Sequence, residues 1–172
     1  MGTDVNRMLR WSRRLSFVPR WVVVPTLHKQ NVAEHTFHVA QLCRWLLARH
    51  ASGGDGKFVL EVLEDALDHD EKEAAEGDIP SPRKTRPEPF SQKEVILKCA
   101  DLLEALAFLQ EERNFGGLHW VEPIWEDVYS KFHEAWLLFD YIDTKKPLTS
   151  DIVRFMLWEV NGTNNKHHPG LE

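Results

Sequence analysis

The stretch QKEVILKCADLLEALAFLQEER, residues 92–113, decides the fold class. Its apolar residues Val95, Ile96, Leu97, Ala100, Leu102, Leu103, Ala105, Leu106, Ala107 and Phe108 lie on almost every side of a helix. A helix that is apolar all round sits at the centre of a domain. Ser91 stands before it with Glu94 three residues on, the spacing of a capping box that ties off the first backbone N–H groups. One residue resists this reading. Asp101 lies between Leu97 and Ala105, in the middle of the apolar run. Burying an unpaired carboxylate costs several kcal/mol, so Asp101 requires a cation, a set of donors or a proton.

Upstream, apolar spacing of three and four predicts a helix from about Phe58 to Glu76, closed by Gly77. The loop ASGGDGK (51–57) separates it from a long helix over Val32–His50, for which Asn31 is available as N-cap. Residues 4–16 read as a short basic helix, and 17–30 as an extended segment punctuated by Pro19 and Pro25. The run DIPSPRKTRPEP (78–89) is a proline-rich, basic loop. Downstream, NFGG ends the central helix. Another helix is expected over roughly 121–139 with Pro123 in its first turn, and a last one over about 148–160, started by Thr149 or Ser150. No segment alternates with a period of two; WVVVP (21–25) is β-like but short. The expected fold is all-α, a compact helical domain of about six helices spanning residues 1–172, with a frayed tail from about 161.

Composition agrees. A chain of 172 residues with 42% hydrophobic and 28% charged residues can bury a real core and does not have the profile of a disordered one. A net charge of −6 argues against binding duplex nucleic acid through a basic surface. Cys43 and Cys99 each sit inside an apolar stretch and read as reduced core thiols. No apolar stretch approaches the roughly 18 residues of a membrane span, and the N-terminus lacks the apolar region of a signal peptide, so a cytoplasmic protein without membrane contact is expected.

Asp101 is not alone. Val32, Val39, Leu42, Cys43 and Leu46 form the apolar stripe of one helix, and His35 falls on it. Val59, Val62, Leu63 and Ala66 form the stripe of the next, which continues into His69, Asp70 and Glu73. A single histidine on a core stripe is more often a hydrogen-bonded core residue than a ligand. Four such residues on three central helices share one explanation, a divalent cation held by His35, His69, Asp70 and Asp101. Imidazole with carboxylate suits zinc, manganese, iron or cobalt better than calcium. The absence of a cysteine ligand points to a catalytic ion with open positions. Glu73, four residues after His69, and Asp78, at the helix end, are placed to move protons or orient water, although a solvated helix carboxylate and a cap would explain them too.

His35, the adjacent His69–Asp70 pair and Asp101 resemble the metal motif of the HD-domain phosphohydrolases. The blocks PRW (19–21) with QNVAEHT (30–36), HDEKEAAEGDIPSPRK (69–84) and KCADLLEAL (98–106) are similar to those of bacterial 5′-deoxynucleotidases. They are similar also to phage dATP-type triphosphohydrolases of the same superfamily. The resemblance covers roughly residues 15–110. It implies that His35, His69, Asp70 and Asp101 bind the metal, with Mg added to Mn, Co, Zn and Fe as candidate ions. Glu73 would transfer protons, and Asp78 would be a second acidic residue of the site. Arg20 would contact phosphate, and Trp21 would pack against sugar or base. Lys29 and the run Arg83, Lys84 and Arg86 supply further cations, which equally fit a solvated loop.

The implied reaction is hydrolysis of the 5′-phosphate ester of a small-molecule (deoxy)nucleotide, with hydroxide generated at the cation attacking the α-phosphorus. The expected substrate is a deoxynucleoside monophosphate. The alternative is a dNTP cleaved to nucleoside and triphosphate, and a non-catalytic nucleotide- and metal-binding module is a third reading. Relatives commonly assemble, so a homo-oligomer is expected. The chain departs from the bacterial nucleotidases between Asp70 and Asp101, where the proline-rich loop stands in place of a longer, helix-bearing insertion.

Overall fold

The computed structural model describes residues 5–50, 55–77 and 91–142. They form six helices: α1 (Val5–Leu15), α2 (Val32–His50), α3 (Gly56–Asp68), α4 (Glu73–Glu76), α5 (Gln92–Asn114) and α6 (Leu118–Ile142). Among the described residues there is no strand, only an isolated bridge between Pro19 and Asn31. The fold is all-α, as the sequence predicts.

Helix α5 occupies the centre and packs against α6, α2 and α3. Its start is fixed as the spacing requires. The Ser91 hydroxyl accepts from the Glu94 backbone N–H, and the Glu94 carboxylate accepts from the Ser91 N–H at 2.9 Å. Val39, Cys43 and Leu46 of α2, Val62 and Ala66 of α3, and Cys99, Ala100 and Leu103 of α5 share one buried cluster. Each fully buried aliphatic side chain contributes roughly 1.5–3 kcal/mol. That apolar frame holds the polar side chains described below where they cannot retreat to water. Both cysteines are buried and form no disulfide; burial, with the Asp101 charge added, pushes the Cys43 thiol up to about 12. Helix α2 begins at Asn31, whose side chain accepts from the Glu34 N–H at 2.9 Å.

Two expectations are corrected. The helix predicted over Phe58–Glu76 is two helices with a tight turn between them. After Asp68 the bonding changes from four-residue to three-residue steps: Glu71 N–H to the Asp68 carbonyl at 3.0 Å and Glu73 N–H to the Asp70 carbonyl at 2.9 Å. Such winding turns faster than an α-helix and shifts the phase of later side chains, so Glu73 is not one α-turn above His69. Pro123, predicted in a first turn, lies in the second turn of α6, because that helix starts three residues earlier. Gly117 sets the early start. Its carbonyl accepts from the Trp120 and Val121 N–H groups, and a Cβ on it would stand 3.0 Å from the Glu112 carbonyl oxygen. Pro123 then gives no N–H to the His119 carbonyl. The helix expected over 148–160 lies outside the described residues.

The segment between α1 and α2 is a closed loop. Arg20 N–H donates to the Gln30 carbonyl at 2.8 Å and Val32 N–H to the Val18 carbonyl at 3.0 Å, which pinches its base. Its far side is held by α5: Glu112 accepts from the backbone N–H groups of Leu27 and His28, and from His28 Nδ1 at 2.8 Å. No helix among the described residues is long and apolar enough to cross a membrane.

Candidate metal centre

His35 lies in the first turn of α2 and is fully buried. One ring nitrogen, Nδ1, meets Glu104 Oε2 at 2.5 Å. The other, Nε2, faces a cluster: Asp101 Oδ1 at 3.3 Å, His69 Nε2 at 3.3 Å and Asp70 Oδ2 at 3.5 Å. His69 is arranged in the same way. Its Nδ1 meets the Ala66 carbonyl at 2.7 Å, and its Nε2 stands 3.1 Å from Asp70 Oδ2. Carboxylate and carbonyl oxygens only accept, so a neutral imidazole at either position is satisfied by a proton on Nδ1 and then points an Nε2 lone pair inward; without a metal, a second proton on His35 Nε2 is the one it donates to Asp101. Two imidazole lone pairs and two carboxylates facing one another repel unless a positive charge joins them.

The spacing fits such a charge. His35, His69 and Asp101 each offer one ligand atom, all within 4.8 Å of one another, and Asp70 borders the same space from the histidine side. Donors around one divalent ion at about 2.0–2.2 Å stand roughly 2.9–3.5 Å apart. The four separations given above all fall in that window. The mixed nitrogen and oxygen set suits zinc, manganese, cobalt or iron.

The turn explains why histidine and aspartate are adjacent. His69 is the C-cap of α3, so the pair stands at the C-terminal end of that helix, whose partial negative charge favours a cation. The charges respond to one another. Burial alone would raise Asp101, but its hydrogen bond to His35 and the charges of Lys98, His35 and His69 hold it well below the usual carboxylate range. Burial alone would lower His35, yet hydrogen bonds to Asp101 and Glu104 bring it above its ordinary 6.5. The proton on a raised histidine stabilises the fold below about pH 6.5, and that contribution is lost as pH rises through the folded value. A cation competing for Nε2 has the opposite dependence. Cobalt affinity of the metal-stripped chain is therefore expected to be at least tenfold weaker at pH 6 than at pH 8. Equal affinity at both would remove His35 from the ligand set.

The remaining sequence-predicted residues divide. Glu73 is buried at the start of α4. Arg20 pairs with Glu104 at 3.4 Å and lies 5.4 Å from the Trp21 ring centre. Trp21 is stacked on Phe108, with ring centres 5.3 Å apart and planes within 6°, and its Nε1 donates to Gln30 Oε1 at 3.1 Å. Its φ of +60° is a strained backbone for a bulky residue, held by those two partners. Lys29 is exposed and forms no ion pair among the described residues. Asp78, Arg83, Lys84 and Arg86 lie outside the described residues. Among the described residues, four buried polar groups escaped the sequence reading: Gln30, Thr36, Glu104 and Glu112. For the two glutamates the signal was present, a carboxylate in the same all-apolar helix that drew attention to Asp101.

Residues 7–94 match the family described as 5′-deoxynucleotidase YfbR-like. The chain belongs to the YfbR-like family. The matched span carries His35, His69 and Asp70 and ends before Asp101. YfbR-like membership makes this chain a nucleotide phosphohydrolase of the HD class, with a His/Asp cluster suited to a divalent ion. It is 27% identical over 176 residues to a dATP triphosphohydrolase of Salmonella phage PMBT28, covering 88% of this chain and 86% of that protein. It is 43% identical over 72 residues to a dATP triphosphohydrolase of Cyanophage S-2L, covering 42% of this chain and 40% of that one. The HD phosphohydrolase DatZ of Cyanophage S-2L, solved bound to dA and one catalytic Zn2+ ion, superposes with a TM-score of 0.53 at 23% identity. That alignment spans 85% of this chain and 99% of DatZ, a likeness of fold.

Proposed function

We propose that this YfbR-like enzyme cleaves the 5′-phosphate ester of deoxynucleotides at the α-phosphorus, and that it acts on a dATP-type triphosphate, releasing nucleoside and triphosphate. The observation that carries the hydrolytic site is the pair of imidazole Nε2 atoms 3.3 Å apart, each with its Nδ1 committed to an acceptor, facing two carboxylates. The triphosphate reading is supported by the relative named dATP triphosphohydrolase that aligns over 88% of the chain. The monophosphate reading is favoured by the family description, 5′-deoxynucleotidase.

In this reading His35, His69, Asp70 and Asp101 would hold a divalent cation, which would supply phosphoryl polarisation and a more acidic water. The residues of the chain do the rest. His35 and His69 present Nε2, while Asp70 and Asp101 balance the charge. Glu73, buried beside the His69–Asp70 turn, exchanges the proton of the attacking water, and Asp78 assists from the following segment. Arg20 answers charge on the phosphate oxygens, with Lys29, Arg83 and Lys84 as further cations along the phosphate chain. Trp21 packs against the nucleoside beside Arg20. The enzyme would act in the cytoplasm as a homo-oligomer; exposed Phe17, Val23 and Trp120 support an interface between copies.

The test is a turnover panel of dNMPs, dNTPs and NTPs with Mn, Co, Zn and Mg, with the phosphate product identified. Triphosphate from dATP supports the first reading, and orthophosphate from dAMP the second. Tight metal binding without turnover of any nucleotide would refute both. Trp21→Ala is expected to raise KM for nucleotides about tenfold or more, since a stacking contact contributes roughly 1–3 kcal/mol. KM for p-nitrophenyl phosphate should move less than twofold. Equal effects on both substrates would take Trp21 out of the nucleoside pocket.

A further inference from the structure

Glu104 stands one turn after Asp101 on α5 and is 3% exposed. A carboxylate so buried needs donors, and this one is surrounded by them. Oε2 accepts from His35 Nδ1 at 2.5 Å and meets Arg20 Nη1 at 3.4 Å. Oε1 accepts from Gln30 Nε2 at 2.6 Å and faces His38 Nδ1 at 3.5 Å. Gln30 in turn receives Trp21 Nε1. One carboxylate thus touches the back of the imidazole that fronts the cluster, the arginine proposed for phosphate, and the amide that braces the tryptophan proposed for the nucleoside.

We infer that Glu104 is a positioning residue that fixes His35 in the Nδ1–H form and anchors Arg20, so that metal side and substrate side are set by a single buried anion. The inference rests on the roles proposed for His35 and Arg20 above. The geometry assigns a direction to each contact. At His35 an acceptor on Nδ1 leaves Nε2 free of its proton and aimed at Asp101, and partners of this kind commonly contribute 10–100-fold to metal affinity. At Arg20 the contact is the longer one, 3.4 Å, which holds the guanidinium near the site while leaving its other N–H groups for a phosphate. An amide in place of the carboxylate changes both. A glutamine carries one oxygen and one NH2 group, and it cannot accept from His35, Arg20 and Gln30 together without turning a donor toward a donor.

The experiment uses the full chain stripped of metal, as wild type, Glu104→Gln, Glu104→Asp and Asp70→Ala. Cobalt is titrated in and followed by its visible absorption, and kcat and KM for dATP are then measured at saturating cobalt. Glu104→Gln is expected to bind cobalt 10–100-fold more weakly and to raise KM at least threefold. Glu104→Asp, which keeps the charge, should recover part of both. A merely structural glutamate would lower melting temperature without moving cobalt affinity in the folded protein. Cobalt affinity within threefold of wild type in a folded Glu104→Gln protein would overturn the inference; if that variant does not fold, Glu104→Ala takes its place with the same threshold. Asp70→Ala separates the two levels. If it also keeps wild-type cobalt affinity, the reading of the cluster fails; if it loses cobalt while the Glu104 variants do not, only the role of Glu104 fails.

Discussion

Asp70→Ala is expected to abolish nucleotide hydrolysis and metal binding together, lowering kcat/KM by about 10²–10³-fold or more, the scale seen when a site loses its answer to transition-state charge, here the cation that Asp70 would help to hold. Asp70 is 5% exposed and stands 3.1 Å from His69 Nε2 and 3.5 Å from His35 Nε2. It is the charge nearest to both imidazoles on the α3 side. Removing it leaves Asp101 as the only carboxylate in the four-residue cluster. Thermal unfolding separates this from simple structural damage. A ligand that binds only the folded state raises stability by RT ln(1 + [L]/Kd), so saturating metal should raise the melting temperature of the wild type clearly. The Asp70→Ala protein should melt at the same temperature with and without metal. Its metal-free form should not melt below the wild type by more than a few degrees, because the metal-free cluster crowds like charges that the substitution relieves. His69→Ala is expected to show the same joint loss. An Asp70→Ala enzyme that turns over normally would end the metal proposal.

Much of this was legible in the sequence, for a definite reason. The apolar period marks α2, α3 and α5 unambiguously, and polar residues that interrupt an apolar stripe are rare enough to be read individually. His35, His69, Asp70 and Asp101 were visible because each violates the hydrophobic pattern of its own helix, and the structure brings their side chains within 3.1–3.5 Å contacts. The helix ends at Asn31 and Ser91 were readable because caps are local chemistry. What could not be read was phase. The change from four-residue to three-residue steps after Asp68 leaves no clear mark in DHDEKEAAE, every residue of which tolerates either winding. Glu73 was therefore placed on an α-helical face that does not exist. The early start of α6 depends on the fit of Gly117 against the Glu112 carbonyl, a contact between two elements.

The buried glutamates of α5 mark a second boundary. Glu104 and Glu112 lie eight residues apart, with Phe108 midway, so the three share one face. That face receives the loop between Arg20 and Gln30: Glu104 takes Arg20 and Gln30, Phe108 takes Trp21, and Glu112 takes Leu27 and His28. Their partners come from a segment about 75–85 positions away, with no periodicity of its own. Sequence spacing within a helix shows that a carboxylate is buried; it does not show what meets it.

Glu112→Ala is accordingly expected to destabilise the protein by about 3 kcal/mol, the cost of stripping a buried charged acceptor from its donors. Glu112 is fully buried, and its two oxygens take the N–H groups of Leu27 and His28 together with His28 Nδ1. In its absence two backbone donors lose their acceptor, and the tilted contact of His28 with Phe115, ring centres 4.7 Å apart, loses its tether. For a chain of this size about 3 kcal/mol corresponds to a fall of roughly 6–12 °C in melting temperature. Glu112→Gln keeps one acceptor oxygen and should lose about half as much. The far side of the loop then swings free while its base, pinched at Arg20 and Val32, stays closed. Metal content should therefore be unchanged and KM for nucleotides should rise, because Trp21 is ordered from the loop and His35 from α2. A melting temperature within about 2 °C of wild type would show that the loop is held by its base and by Trp21 on Phe108, with Glu112 a bystander.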